Sequence, residues 1–211
     1  MNKLESYLNR RIDPAENFQN LLEFPKYIEI ETVNACNARC PMCTINDWER
    51  NYPVMRDNVF NKISDELIEY KKYLKRVSLY RDGEPLIDKK LPQRINKFFE
   101  NGISNTSIAT NVSLLNEKKS REILEAGLGL VIMSIDSLKK DVFEKIRVRL
   151  DFETVKQNAI KFLELRDKIN PNCRVWIRMI RQEENKNEWD DYYKFWSKYA
   201  SGQDRIYYHN I

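Results

Sequence analysis

The chain is short of the residues that would settle its chemistry at a glance. It has one histidine, His209, and four cysteines, of which Cys173 stands apart from the other three. A structural zinc site wants four ligands, so a zinc reading must borrow Cys173 or His209 from far along the sequence. No apolar run approaches the roughly 20 residues that span a bilayer. The opening Met1-Asn2-Lys3-Leu4-Glu5 holds no apolar segment of a secretory signal. The expectation is a soluble protein with no membrane partner, placed in the cytoplasm, where thiols stay reduced. Low-complexity tracts and clear repeats are also missing. Nor is charge of one sign collected anywhere. The net charge is +4, and bases interleave with acids in Lys139-Lys140-Asp141 and Arg181-Gln182-Glu183-Glu184. That is the pattern of a solvated surface, which argues against a nucleic-acid partner.

What the chain does have is Cys36, Cys40 and Cys43, a C-x3-C-x2-C spacing that follows the alternating run Tyr27-Ile28-Glu29-Ile30-Glu31-Thr32-Val33. Alternation of this kind predicts a β-strand, so the thiols fall on the loop leaving it. Three thiolates can hold three irons of a 4Fe–4S cube. Clusters used only for electron transfer normally take four cysteines. A three-cysteine cluster keeps one iron open to a small molecule, which is a catalytic arrangement. Zinc remains the alternative metal. Local disulfides would leave an odd cysteine, and structural cysteines are usually scattered and buried instead of clustered on a polar loop.

At 211 residues, with 42% apolar and 32% charged residues, the chain can build one domain around a sizeable core. Strand-like and helix-like segments alternate. Strands are predicted at 27–33, 76–80, 106–110, 130–135, 174–180 and 205–208. Helices are predicted at 61–74, capped by Asn61 or Ser64, then at 91–100, 116–126, 151–169 and 188–199. Glycines at 102 and 127 stop the second and third. A βα unit used about six times argues an α/β fold with parallel strands, and chemistry in such folds sits at the carboxyl ends of strands. The cysteines, Arg81-Asp82-Gly83-Glu84-Pro85, Asn111, Asp136, and His209 with Asn210 all fall on that one predicted rim.

At this point the residues resemble the radical S-adenosylmethionine (SAM) superfamily, in its SPASM and twitch branch. Asp82-Gly83-Glu84-Pro85-Leu86 looks like the family's Gly-Gly-Glu-Pro segment, and Thr110-Asn111-Val112 looks like its Thr-Asn-Gly. Ser134-Ile135-Asp136-Ser137 followed by Arg147 looks like Ser-Ile-Asp-Gly…Arg. The resemblance covers roughly residues 27–185. It implies a partial (β/α)6 barrel, an incomplete TIM-like barrel, in which Cys36, Cys40 and Cys43 ligate a 4Fe–4S cluster whose free iron is chelated by SAM. Reductive cleavage would yield a 5′-deoxyadenosyl radical that abstracts hydrogen from a small polar, sugar- or cyclitol-like substrate or from a peptide. A donor such as flavodoxin or ferredoxin would supply the electron. By motif match, Met42, Gly83, Glu84, Asn111, Ser134, Asp136 and Arg147 would meet SAM. A protonated amine wants acceptors such as Glu84, and a guanidinium suits a carboxylate. The alternative is a structural iron–sulfur or zinc module without SAM chemistry. It would be favoured if the Asp82 and Asn111 segments lay far from the cysteines.

The resemblance also has departures. Asp82, Val112 and Ser137 stand where the family has glycine. A side chain at 82 could crowd the approach of SAM, whereas the other two are expected to alter turns and leave the chemistry alone. The branch usually continues into a domain with auxiliary clusters, which one further cysteine cannot hold. The expectation is therefore an N-terminal extension over 1–26, too short for a leader-binding domain, and a core over 27–211. The auxiliary domain would be absent, or the chain truncated. Among single residues, Cys173 reads as structural. Arg178, on a strand face shared with Trp176 and Ile180, either meets an anionic substrate or SAM group inside the barrel or pairs with Glu29 or Glu31. His209 is a candidate proton carrier or an exposed terminal residue. The aromatic run from Trp189 to Tyr199 has helical spacing and is expected to pack its helix on the sheet.

Overall fold

One nearly unbroken apolar strand and five mixed ones assemble in chain order. The computed structural model describes residues 24–47 and 53–211, so most of the expected N-terminal extension lies outside the described residues. The strands are β1 (Tyr27–Glu29), β2 (Arg76–Ser78), β3 (Thr106–Thr110), β4 (Leu130–Ser134), β5 (Arg174–Arg181) and β6 (Arg205–Asn210). They form one six-stranded sheet in the order β1-β2-β3-β4-β5-β6, with every pair parallel. Sequential parallel order with β1 and β6 at the two edges is an open, partial (β/α)6 barrel. The helices are α1 (Asp57–Glu69), α2 (Leu91–Glu100), α3 (Glu117–Glu125), α4 (Lys140–Ile146), α5 (Phe152–Ile169) and α6 (Trp189–Trp196).

The period of two in each strand sorts side chains onto two faces. One face is apolar and dry. Val77, Ile108, Val131, Met133, Val175, Ile177 and Met179 are all fully buried and belong to one core with Phe98 of α2, Ile123 of α3, Phe162 of α5 and Trp196 of α6. The other face is polar. Ser78 lies opposite Ser107, whose hydroxyl donates to it at 3.0 Å. Ser134, Arg178 and Tyr207 line up across β4, β5 and β6. The hydrophobic effect therefore fixes the outer layer, and the concave inner face is left free for polar groups.

Several boundaries differ from the sequence reading. β1 ends at Glu29 although its alternation runs on to Val33. Ile30 still donates to the Ser78 carbonyl at 2.8 Å, and the chain then turns so that Val33 bridges antiparallel to Val54. Alternation alone cannot tell which partner a strand edge takes. α1 begins four residues earlier than expected and ends at Glu69, with Arg56 as its N-cap. Neither Asn61 nor Ser64 caps it, because Ser64 is buried inside the helix and its hydroxyl donates to the Asn61 carbonyl at 3.0 Å. α4, only seven residues long, was hidden under a charge-alternating stretch. β6 runs to Asn210, so His209 and Asn210 sit within the strand instead of following it. Asn116 and Asp151 cap α3 and α5 by accepting from the backbone N–H groups of Lys119 and Thr154, at 3.0 and 2.8 Å.

Candidate active site

The cysteine loop is held at the carboxyl ends of the strands by three other loops. From the β2 side, Glu84 N–H donates to the Ala35 carbonyl at 2.8 Å. Gly83 permits that approach: a Cβ there would stand 2.2 Å from the Val33 carbonyl oxygen. From the β3 side, the Asn111 amide donates to Asn37 Oδ1 at 2.9 Å, and Asn37 donates in turn to Ser113 Oγ at 2.8 Å. From the loop after α4, the Val148 carbonyl accepts from Arg39 N–H at 2.9 Å, while the Arg39 guanidinium closes on the Cys36 and Ala38 carbonyls, both at 2.7 Å. The segments that sequence spacing singled out thus touch the cysteine loop directly. That is the arrangement the structural-module alternative does not need.

Cys36, Cys40 and Cys43 line one cavity of about 280 Å³ together with Met42, Asp82, Gly83, Glu84, Asn111, Ser134, Arg147 and Arg178. Donors point at the sulfurs of Cys36 and Cys40. Cys36 Sγ accepts from Ala38 N–H at 3.4 Å and from the Asn111 amide at 3.8 Å. Cys40 Sγ accepts from Arg147 Nη1 at 3.8 Å. Burial raises both thiol pKa values, and these donors act against it. The chemistry of this donor set fits an iron–sulfur cluster: thiolates need their charge answered, and N–H···S contacts are what protein folds use to tune such clusters. Among the described residues no group of three His, Cys, Asp or Glu is placed to hold a single metal ion. One ion draws its ligands to a point, whereas a four-iron cube takes thiols spaced around it.

Glu84 is the clasp of the site. Its carboxylate is 2% exposed and accepts from Thr110 Oγ1 at 2.7 Å, Asn111 N–H at 2.8 Å and Leu86 N–H at 3.2 Å. Burial nevertheless raises its pKa, against the pull of those donors. Asp136, two residues past the end of β4 and fully buried, accepts from Arg147 Nε at 2.5 Å and from Ile180 N–H at 2.8 Å. Burial opposes the Arg147 charge, but Asp136 outweighs it and the pKa rises. Ser134 Oγ accepts from Arg178 Nη2 at 2.9 Å. Asp82, a third exposed, turns its carboxylate to Arg81 Nε at 3.3 Å.

The glycine replacements behave differently from each other. Ser137 has ordinary backbone and donates to Glu188 Oε2 at 2.7 Å. Val112 keeps the left-handed conformation of the glycine it replaces, with φ 69°, while fully buried. A β-branched residue there is strained by about 1–3 kcal/mol, and its burial returns a similar amount. Val112→Gly is therefore expected to change stability by less than about 1 kcal/mol. Val112→Ala, which loses packing and keeps the strain, is expected to cost more. Urea denaturation of the two variants reads the order, and alanine as the milder change would contradict the account.

Other sequence candidates lie elsewhere. His209 is exposed on β6, its ring edge-on to Tyr207 at 5.2 Å, and does not line the cysteine cavity. Cys173 is buried at the far end of β5, and burial pushes its thiol up to about 12. The aromatic run packs as expected: Tyr192 donates to the Ile135 carbonyl at 2.7 Å and Trp196 is fully buried. Sequence reasoning missed Tyr80, which lines the cavity, and Thr110 as partner of Glu84. Strand parity would have put Tyr80 on the inner face.

Residues 30–195 match the Radical SAM superfamily. The chain belongs to that superfamily. Its members are enzymes whose cofactors are a 4Fe–4S cluster and SAM. A GTP 3′,8-cyclase of Clostridium botulinum is 30% identical over 184 residues, covering 82% of this chain and 53% of that protein. The tungsten-containing aldehyde ferredoxin oxidoreductase cofactor-modifying protein of Pyrococcus furiosus is 31% identical over 113 residues, covering 54% of this chain and 31% of that protein. Streptococcus suis SuiB bound to S-adenosylmethionine shares the fold at a TM-score of 0.71 with 16% identity, over 98% of this chain and 46% of that chain. The chain thus spans about half the length of these relatives or less. Among the described residues no helix is long and apolar enough to cross a membrane.

Proposed function

We propose that this chain is the catalytic core of a radical SAM enzyme acting on a small polar substrate. The observation that carries the reading is the convergence of three thiols, Glu84 and Arg147, which the buried Asp136 holds from behind, on one cavity. Cys36, Cys40 and Cys43 would hold the cluster. When bound, the cluster and SAM supply reductive cleavage of SAM and a 5′-deoxyadenosyl radical that takes a hydrogen atom from substrate.

The chain's own residues orient and shield. Glu84 holds the Asn111 segment against the cysteine loop, and its remaining acceptor capacity suits the SAM amino group, with the Gly83 backbone beside it. Arg147, kept charged by Asp136, faces the Cys40 sulfur and suits a carboxylate or ribose. Ser134 and Asn111 add polar contacts, and Met42 offers a soft surface for adenine. Ala38, Ala109 and Ile180 give the cavity apolar walls. A flavodoxin- or ferredoxin-like donor would deliver the electron. A small substrate is favoured over a peptide because the relative aligned over most of the chain is named for GTP, a small nucleotide. The test is anaerobic reconstitution, dithionite reduction with SAM, and assay of 5′-deoxyadenosine. Product that disappears in Cys40→Ala supports the reading; product equal in that variant, or zinc bound in place of iron, overturns it.

A further inference from the structure

Among the described residues, the inner face of the sheet carries two arginines that no carboxylate answers. Arg178 on β5 spends one Nη on Ser134, and its buried Nε has no partner. Arg76 on β2 lies 5.5 Å from the centroid of the Tyr27 ring, and its Nε is likewise buried without a partner. The acids read from sequence as alternatives for Arg178 are taken elsewhere. Glu29 pairs with Arg81 at 3.4 Å, and Glu31 accepts from Asp82 N–H at 3.2 Å and the Asn34 amide at 3.0 Å.

Two phenols complete the patch. Tyr207 stands level with Arg178 across β5 and β6, and Tyr80 lines the cysteine cavity beside Arg178. Burial raises both phenol pKa values, and the fields of Arg178 and Arg76 reach both rings and pull the other way. Two cations and two hydroxyls therefore share one half-buried region adjoining the site of the cysteines. Two half-buried guanidiniums, each with a buried Nε that finds no acceptor, favour a ligand that supplies the opposite charge. Guanidinium forks and phenol hydroxyls match the oxygens of a phosphate, and a dianion answers two cations where a carboxylate answers one.

We propose that Arg76 and Arg178, with Tyr80 and Tyr207, anchor the phosphate group of a small phosphorylated substrate on the inner face of the sheet. This deepens the radical SAM reading by naming a substrate class. The anchor needs no chemistry, so the two can fail separately.

The test is isothermal titration of the cluster-loaded protein with inorganic phosphate, pyrophosphate and succinate at fixed ionic strength, without reductant. Saturable phosphate or pyrophosphate binding is expected, tighter than succinate and unchanged by SAM. Losing one charged contact should weaken it about tenfold or more in Arg178→Gln and in Arg76→Gln. Tyr207→Phe, a mild change, should weaken it severalfold. Without phosphate the arginine variants should melt no lower than the parent, since each removes a half-buried charge that no carboxylate offsets. Absence of saturable binding, equal binding in all three variants, succinate bound as tightly as phosphate, or displacement of phosphate by SAM would each overturn the proposal. A protein that makes 5′-deoxyadenosine but binds no phosphate loses only this inference. One that binds phosphate but cleaves no SAM loses only the reading beneath it.

Discussion

Replacing Gly83 with alanine is expected to strip the protein of its cluster. The new Cβ would stand 2.2 Å from the Val33 carbonyl oxygen and 3.0 Å from that of Ala35. Both are backbone atoms of the segment leading into the cysteine loop, so no side-chain rotation relieves the clash. The adjoining bond from Glu84 N–H to the Ala35 carbonyl must lengthen or break. Overpacking of this kind costs about 1–3 kcal/mol or more, and here the strain falls on the loop carrying Cys36. Iron bound per chain after anaerobic reconstitution is expected to drop to a small fraction of the parent value. A variant that loads iron normally would show that the Gly83 approach is not needed to place the thiols.

The second large effect belongs to Asp136→Ala. It removes the carboxylate from a buried guanidinium and at the same time orphans the Ile180 N–H. Breaking a buried ion pair from one side costs about 3–5 kcal/mol. For a domain of this size that is on the order of 10 °C in Tm. The double variant Asp136→Leu with Arg147→Met is expected to recover most of the loss, because the cost lies in the stranded charge more than in the missing bond. Calorimetry of both proteins reads the difference. A single variant as stable as the parent would mean that water already reaches Arg147.

Most of this architecture could be read from residue patterns. The apolar run through Leu130-Val131-Ile132-Met133 signalled a strand buried on a parallel sheet, and its register confirms it. The rim segments at 82–86, 110–112 and 134–137 were legible because each lies at or just past the carboxyl end of a strand, whereas Arg147, at the end of α4, was placed by motif match alone. What stayed hidden depends on long-range partners. The end of β1 is set by Val54, twenty-one residues past Val33. The Glu84 clasp is set by Thr110, twenty-six residues away. The left-handed Val112 shows that backbone conformation can persist where the glycine has gone. His209 was placed on the rim by chain order. Register sets it beside Ile180, which lines the cysteine cavity, but His209 itself is exposed and not part of that lining.

The central claim is that three thiols hold a cluster with one coordination position open to SAM. Electron paramagnetic resonance of the dithionite-reduced, reconstituted protein, recorded with and without SAM, tests it most directly. The signal reports the ligand at the open iron, so the account predicts a reduced 4Fe–4S spectrum that changes on adding SAM, and no such spectrum in Cys40→Ala. A spectrum identical with and without SAM, or one that survives in Cys40→Ala, would contradict it.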